Sequence, residues 1–330
     1  MMRRYVAMVV VVVVLTLSVG CGPATDPPVF SWRPQSSGSS ETLNTVVFAD
    51  PQYGWAAGER GTILATDDGG NTWTPQTSGS EVAVFGMDFA DRATGCAVGW
   101  NPDDWLALEA GIVLRSGDGG STWRTLGEGK GNLFDVELVN ADLGWAVGNL
   151  EDGALIIATE DSAASWSRQY SGGRDGLYGV DFADDYAGCA VGGRTALSTD
   201  DGGLTWRRRE LGKKMWIVDV ACAPGTDEVW CVGENGAVLV SSDGGLTWQR
   251  QDSGVDVDLN AVDFTDATHG WAVGDKGTVI ATKDAGATWV LQDSGTNRRL
   301  YSVFALNASR AWAVGAKGTI VSMSAEGAKK

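Results

Sequence analysis

Short apolar runs, each bounded by glycine, aspartate or serine, recur along this chain in a fixed order. One unit reads Val262-Asp263-Phe264, then Gly270-Trp271-Ala272-Val273-Gly274, then Thr278-Val279-Ile280-Ala281-Thr282, then an aspartate phrase ending in Trp289. Runs this short, rich in β-branched and aromatic residues and punctuated by turn formers, predict strands rather than helices. Each unit therefore offers four strands, A to D. Strand A is the Val-Asp-Phe type and strand B the Gly-Trp-Ala-Val-Gly type, starting at Gly54, Gly95, Gly144, Gly188, Val229, Gly270 and Ala311. Strand C follows a two-residue turn, and strand D opens at the tryptophan of the aspartate phrase.

That phrase, Thr66-Asp67-Asp68-Gly69-Gly70-Asn71-Thr72-Trp73, recurs at Ser116 to Trp123, Thr159 to Trp166, Thr199 to Trp206, Ser241 to Trp248 and Thr282 to Trp289. Its tail alone stands near the N-terminus, from Trp32 to Gly38. The seven tryptophans are separated by 41, 50, 43, 40, 42 and 41 residues, the period of four-stranded propeller blades. The last unit, Leu300 to Ser322, has no strand D, whereas Trp32 to Gln35 is a strand D with nothing before it. The expected fold is thus an all-β, seven-bladed propeller over residues 30–323, its last blade closed by the N-terminal strand. The phrase itself reads as scaffold: the carboxylate accepts backbone N–H groups across a turn and the tryptophan plugs between strands. Blade three departs most, with Ala163 in place of a glycine.

These residues resemble the Asp-box, or BNR, repeats of sialidases. The pairing of Gly-Trp-Ala-Val-Gly with Asp-Gly-Gly-x-Thr-Trp resembles more closely the photosystem II stability/assembly factor family, over residues 30–323. That resemblance implies a propeller that binds protein clients through an arginine-rich surface, for which Arg207-Arg208-Arg209 and Arg298-Arg299 are the counterparts here. The arginine triad and tyrosine–glutamate pair of sialidases find no counterpart, and sialidases have six blades.

Composition adds location and narrows the partners. Arg3 and Arg4, the apolar stretch Tyr5 to Val19 and the small residue Gly20 before Cys21 read as an export signal over residues 1–20. Leu17-Ser18-Val19-Gly20-Cys21 resembles a lipoprotein signal, which implies lipidation of Cys21, a short tether over 21–29 and an extracytoplasmic, envelope-anchored body. A disordered tail is expected over 324–330. Removing the two arginines leaves 23 basic against 42 acidic side chains, a net charge of −19. That balance argues against nucleic acid, and against membrane contact other than through the anchor. Cys96 and Cys189 replace the strand-B tryptophan and read as buried thiols, whereas Cys222 and Cys231 flank one turn and are candidates for a disulfide.

Twelve of the fifteen tryptophans belong to the repeated phrases; Trp100, Trp105 and Trp216 do not. All three map to the face that carries the D–A and B–C connections, where loop lengths vary. Trp216 also joins a series opening strand A, with Asn44, Phe85, Phe134, Tyr178, Asn260 and Tyr301. Such a series is either inter-blade packing or an aromatic contact surface at the channel mouth. Three residues on, Asp88, Glu137, Asp181, Asp219 and Asp263 form an acidic ring that either binds neighbouring N–H groups or holds a cation. The single histidine, His269, lies in an A–B turn. No catalytic constellation, metal cluster or cofactor motif stands out. The reading is a monomeric protein-interaction scaffold or assembly factor at the envelope, with Arg207 and Arg208 added to the aromatics as contact residues. The alternatives are a glycan-binding protein or sialidase-like glycoside hydrolase, and a structural propeller without a dedicated ligand.

Overall fold

The computed structural model describes residues 30–101, 111–128, 131–151, 153–212 and 215–325. Its strands, numbered β1–β28 in chain order, form seven four-stranded antiparallel sheets. Blade one is typical: β2 (Leu43–Phe48), β3 (Gly54–Gly58), β4 (Thr62–Thr66) and β5 (Thr74–Thr77) lie side by side in sequence order. Blade seven takes β26 (Leu300–Asn307), β27 (Arg310–Gly315) and β28 (Thr319–Ala325) from the C-terminus, and β1 (Phe30–Ser36) from the N-terminus. The β1–β28 ladder runs from Phe30↔Ala325 to Ser36↔Thr319, so the ring closes as the sequence predicts. Strand β28 carries on to Ala325, into the stretch expected to be tail.

Each aspartate phrase is a self-contained turn. The Thr199 hydroxyl accepts the N–H groups of Asp201 and Gly203 and donates to Asp201 Oδ1. Asp201 in turn accepts the Thr205 N–H on Oδ1 and the Thr205 hydroxyl on Oδ2. In blade three the same bonds form around Asp161, although Ala163 must adopt a φ of 59°; the turn geometry outweighs the cost of a left-handed alanine. The expected two-residue B–C turn is, in blades one, five, six and seven, a short 3-10 turn with a left-handed middle residue: Arg60, Asn235, Lys276 or Lys317.

Blade junctions come in two kinds. At four of them the strand-B tryptophan lies flat on the phenylalanine ending the next blade's strand A: Trp55 on Phe89, Trp145 on Phe182, Trp230 on Phe264 and Trp312 on Phe48, with centroids 3.5–3.7 Å apart. An aspartate-phrase tryptophan meets each of those phenylalanines edge-on, as Trp206 meets Phe182 at 90°. Buried aromatic stacks of this kind contribute about 3–5 kcal/mol per ring when truncated. Two of the alternating junctions carry Cys96 and Cys189 in the tryptophan position, both buried as read from sequence. Cys222 and Cys231 are free thiols, and the expected bridge is not formed. They are not opposite one another: Cys222 pairs with Val229 and Cys231 with Val220, and the Cys222 Sγ donates to the Asp181 carbonyl at 3.3 Å.

Candidate functional site

The seven strands A line a central cavity of about 300 Å³. They are β2, β6 (Ala83–Phe89), β10 (Asn132–Glu137), β14 (Gly179–Phe182), β18 (Ile217–Cys222), β22 (Leu259–Phe264) and β26. Six of them share a β-bulge near their start, as between Leu43 and Thr45 or Leu133 and Asp135. A bulge re-aims a side chain. Here it turns Asn44, Phe85, Phe134, Asn260 and Tyr301 into the cavity mouth, where Tyr178 stands at the equivalent place in blade four. The mouth opens on the D–A and B–C side. On the far side the A–B and aspartate-phrase turns bind one another, as in Gly202 N–H to the Tyr186 carbonyl.

The bulge also corrects the register of blade five. Ile217, opposite Gly233, is the equivalent of Leu43, opposite Gly58. Val218 therefore takes the mouth position that the sequence assigned to Trp216, and Trp216 stands outside it, 37% exposed. Asp219 shifts with it, out of the level of Asp88 and into that of Asp135, a channel carboxyl the sequence reading missed.

The carboxyls thus occupy two tiers, and the five aspartates among them each bridge to the next blade. In the deeper tier Asp88 accepts the Leu138 N–H at 2.7 Å, Asp181 the Cys222 N–H at 2.6 Å and Asp263 the Ala305 N–H at 2.6 Å. In the tier nearer the mouth Asp135 accepts the Val180 N–H at 3.0 Å and Asp219 the Val262 N–H at 2.9 Å; the Ser302 hydroxyl does the same for Val46 at 3.3 Å. Asn44 spans the remaining junction by donating to the Val84 carbonyl. Steric room sets the alternation. A Cβ on Gly86 would lie 2.6 Å from the Asp135 Cα, and one on Gly179 2.7 Å from Asp219 Oδ1. A blade with an aspartate in the deep tier therefore keeps a small residue beside its neighbour's aspartate.

These acids are half-buried, and what surface they keep opens only into the narrow cavity. Loss of hydration pushes Asp88 up to about 6, Asp135 to about 7 and Asp263 to about 6. Dehydration, then the surrounding carboxylates, raise Glu137 well above its ordinary range; Asp181 and Asp219 rise too, through burial first. Among the described residues no group of three or more His, Cys, Asp and Glu is disposed to hold a metal ion.

The mouth is divided. Over blades two to five half-buried rings touch in series and end on the exposed Trp216: Trp100 and Phe85 at 6.0 Å, Phe85 and Phe134 at 6.1 Å, Phe134 and Tyr178 at 5.1 Å, Tyr178 and Trp216 at 6.2 Å. Trp100 also meets Phe134 at 6.2 Å. Across the opening the lining is polar. Asn260 donates to the Leu300 carbonyl, and the Arg299 guanidinium lies 5.7 Å from the Tyr301 ring while paired with Asp275. Arg207 and Arg208 are elsewhere, on β17 (Arg207–Glu210), the outermost strand of blade four, paired with Asp200 and Glu210. His269 sits in its turn against Asp266. Trp105 and Cys21 lie outside the described residues.

The family model for the photosynthesis system II assembly factor YCF48 matches residues 26–129, 158–250 and 253–330. The chain belongs to that family. No curated protein matches it by sequence. Among solved structures, YCF48 from Cyanidioschyzon merolae superposes with a TM-score of 0.71 at 19% identity, covering 89% of this chain and 98% of that one. YCF48 bound to D1 peptide gives 0.73 at 18% identity, covering 93% and 99%. The GH74 xyloglucanase from Xanthomonas campestris gives 0.67 at 14% identity, covering 88% of this chain and 53% of the enzyme. At these identities the likeness is one of fold. The YCF48 family membership rests on the sequence phrases, which the propeller explains as blade-forming units.

Proposed function

We propose that this YCF48-family propeller is an assembly factor that holds a segment of a client polypeptide across its D–A/B–C face. The observation that carries this reading is the contiguous aromatic arc from Trp100 to Trp216 at the channel mouth. Half-exposed aromatic rings in contact supply area at low entropic cost, which is what a peptide-holding surface requires. The similar YCF48 structure bound to D1 peptide supports a peptide as the kind of partner. The export-like residues 1–20 and Cys21 support placement at the envelope, with the lipid as anchor.

Crosslinking in intact envelopes tests this, comparing wild type with a Trp100→Ala/Phe134→Ala variant. Loss of crosslinked partners in the variant is the expected result; identical partner profiles would rule out this face. Cys21→Ser should move the protein from the membrane fraction to the soluble one.

A further inference from the structure

Blade three is the one blade with an acid in both channel tiers, Asp135 and Glu137. Asp135 makes the bridge to blade four, and its second oxygen accepts the Val136 N–H. Asp181 is likewise engaged through both oxygens, and Asp88, Asp219 and Asp263 each bind a neighbouring blade. The Glu137 carboxyl alone among these acids makes no hydrogen bond or ion pair with a described residue. No structural bond accounts for a carboxyl there, and glutamate carries it further into the lumen than aspartate would.

Above Glu137 on the same strand stands Phe134, the centre of the aromatic arc, about 10 Å away along the strand axis. The cavity wall between them carries no Lys, Arg or His. Aromatic faces at an opening and an uncommitted carboxyl beneath them are complementary to a cation on an apolar stem: ring faces attract the charge, and the carboxylate completes a charge-assisted hydrogen bond. A cavity of about 300 Å³ admits one side chain and excludes a folded element. We propose that the channel mouth is a receptor for a single arginine or lysine side chain of the client polypeptide, its stem against Phe134 and Tyr178 and its charged head at Glu137. This rests on the client-holding reading of the face and names what that face selects.

Other groups facing Glu137 from the packed strands are Asp88, Asp135, Asp181, Asp219, Asp263, Tyr178 and Tyr301. An incoming cation competes with protons that these crowded carboxyls hold above the ordinary carboxylate range, up to about 7 at Asp135 and about 6 at Asp88, with Glu137 raised in the same direction. Binding therefore strengthens as the pH rises through this range.

The test uses two small probes, N-acetyl-arginine methylamide and N-acetyl-norleucine methylamide, with saturation-transfer NMR in about 0.15 M salt to screen nonspecific attraction. At pH 8 the arginine compound should bind at least about tenfold more tightly than the norleucine compound. That preference should shrink several-fold at pH 5.5 and vanish in Glu137→Gln. Phe134→Leu should weaken both probes. Since Glu137 makes no bond that glutamine would lose, Glu137→Gln should melt no lower than wild type at pH 8. Equal binding of the two probes, binding of neither, or an arginine preference that survives Glu137→Gln would overturn the proposal. Client crosslinks that persist under those outcomes would leave the client-holding face intact; arginine-selective binding without client crosslinks would remove that face and leave the receptor.

Discussion

Six carboxyls on the outer turns and six in the channel are chemically almost the same groups, yet the fold drives them in opposite directions. Asp118, Asp161, Asp201, Asp243 and Asp284 are held below the usual carboxylate range, first by the hydroxyl four residues on and then by the N–H of that same residue. For Asp68, slight burial works the other way and is outweighed by the N–H and hydroxyl of Thr72. Asp88, Asp135, Glu137, Asp181, Asp219 and Asp263 are held above it. The number of donors is not the main difference, since Asp181 accepts two N–H groups. Water is. An outer carboxylate keeps its hydration and gains a hydroxyl donor, whereas a channel carboxyl loses hydration and faces others like itself. Identical side chains thus become fixed charges at the perimeter and proton stores at the axis.

The closing strand offers the harshest way to break this contrast. Deleting residues 30–36 removes β1 and bares the whole β28 edge, while Trp32 leaves the core cluster it shares with Trp271 and Met323. The expected outcome is loss of the cooperative thermal transition, a loss of more than about 5 kcal/mol. A variant that still melts cooperatively near the wild-type temperature would show that the blades do not need a closed ring, and the burial of the channel acids would lose its explanation.

A pH scan separates the two sets without mutation. The channel acids bind protons in the folded state up to about pH 6–7, whereas in the unfolded chain they ionise near 4. Between those values the native state holds more protons, so stability falls as the pH rises through that window. The outer aspartates act below it: their contribution is present above about pH 4 and is lost as the pH drops further. Stability should therefore peak near pH 4–5 and decline by several kcal/mol toward pH 8. Denaturant titrations across pH 3–9 would show it, and a maximum at pH 7–8 would mean that the channel carboxyls are hydrated after all.

The perimeter was legible from sequence and the axis only in part, for a physical reason. Outer turns are local: Thr66, Asp68, Gly70 and Thr72 bond within one octapeptide, so their spacing carries the whole turn. Closure by Trp32 to Gln35 was readable because a missing strand and a spare one are both visible in the repeat. Channel bonds run between blades some 40 residues apart, as from Asp181 to Cys222, and no local spacing records them. The bulge compounded this. It lets Phe134, Asp135 and Glu137 line one cavity although a regular strand would alternate them. Reading blade five without it placed Trp216 and Asp219 out of register and hid the two tiers. One signal was available: Met87-Asp88-Phe89, Val180-Asp181-Phe182 and Val262-Asp263-Phe264 fall in alternate blades, which is the alternation of junctions itself.

The finest test exchanges one carboxyl in each set for its amide. Asp181→Asn keeps one acceptor oxygen where the aspartate serves both the Phe182 and the Cys222 N–H groups. Burial holds the Asp181 carboxyl above its ordinary range, so its neutral form is more favoured at pH 5 than at pH 8, and at pH 5 the amide should cost about 1 kcal/mol for the bond it cannot accept. At pH 8 the wild-type site either carries a dehydrated charge or holds a proton against the bulk pH, and the amide does neither. The penalty should then vanish or reverse by a similar amount. Asp243→Asn has no such compensation, because Asp243 is ionised and solvated at both pH values and serves the Thr247 N–H and hydroxyl through separate oxygens. It should lower the melting temperature equally at pH 5 and pH 8. If the two variants respond to pH alike, donor geometry rather than dehydration sets both rings, and the contrast between axis and perimeter loses its cause.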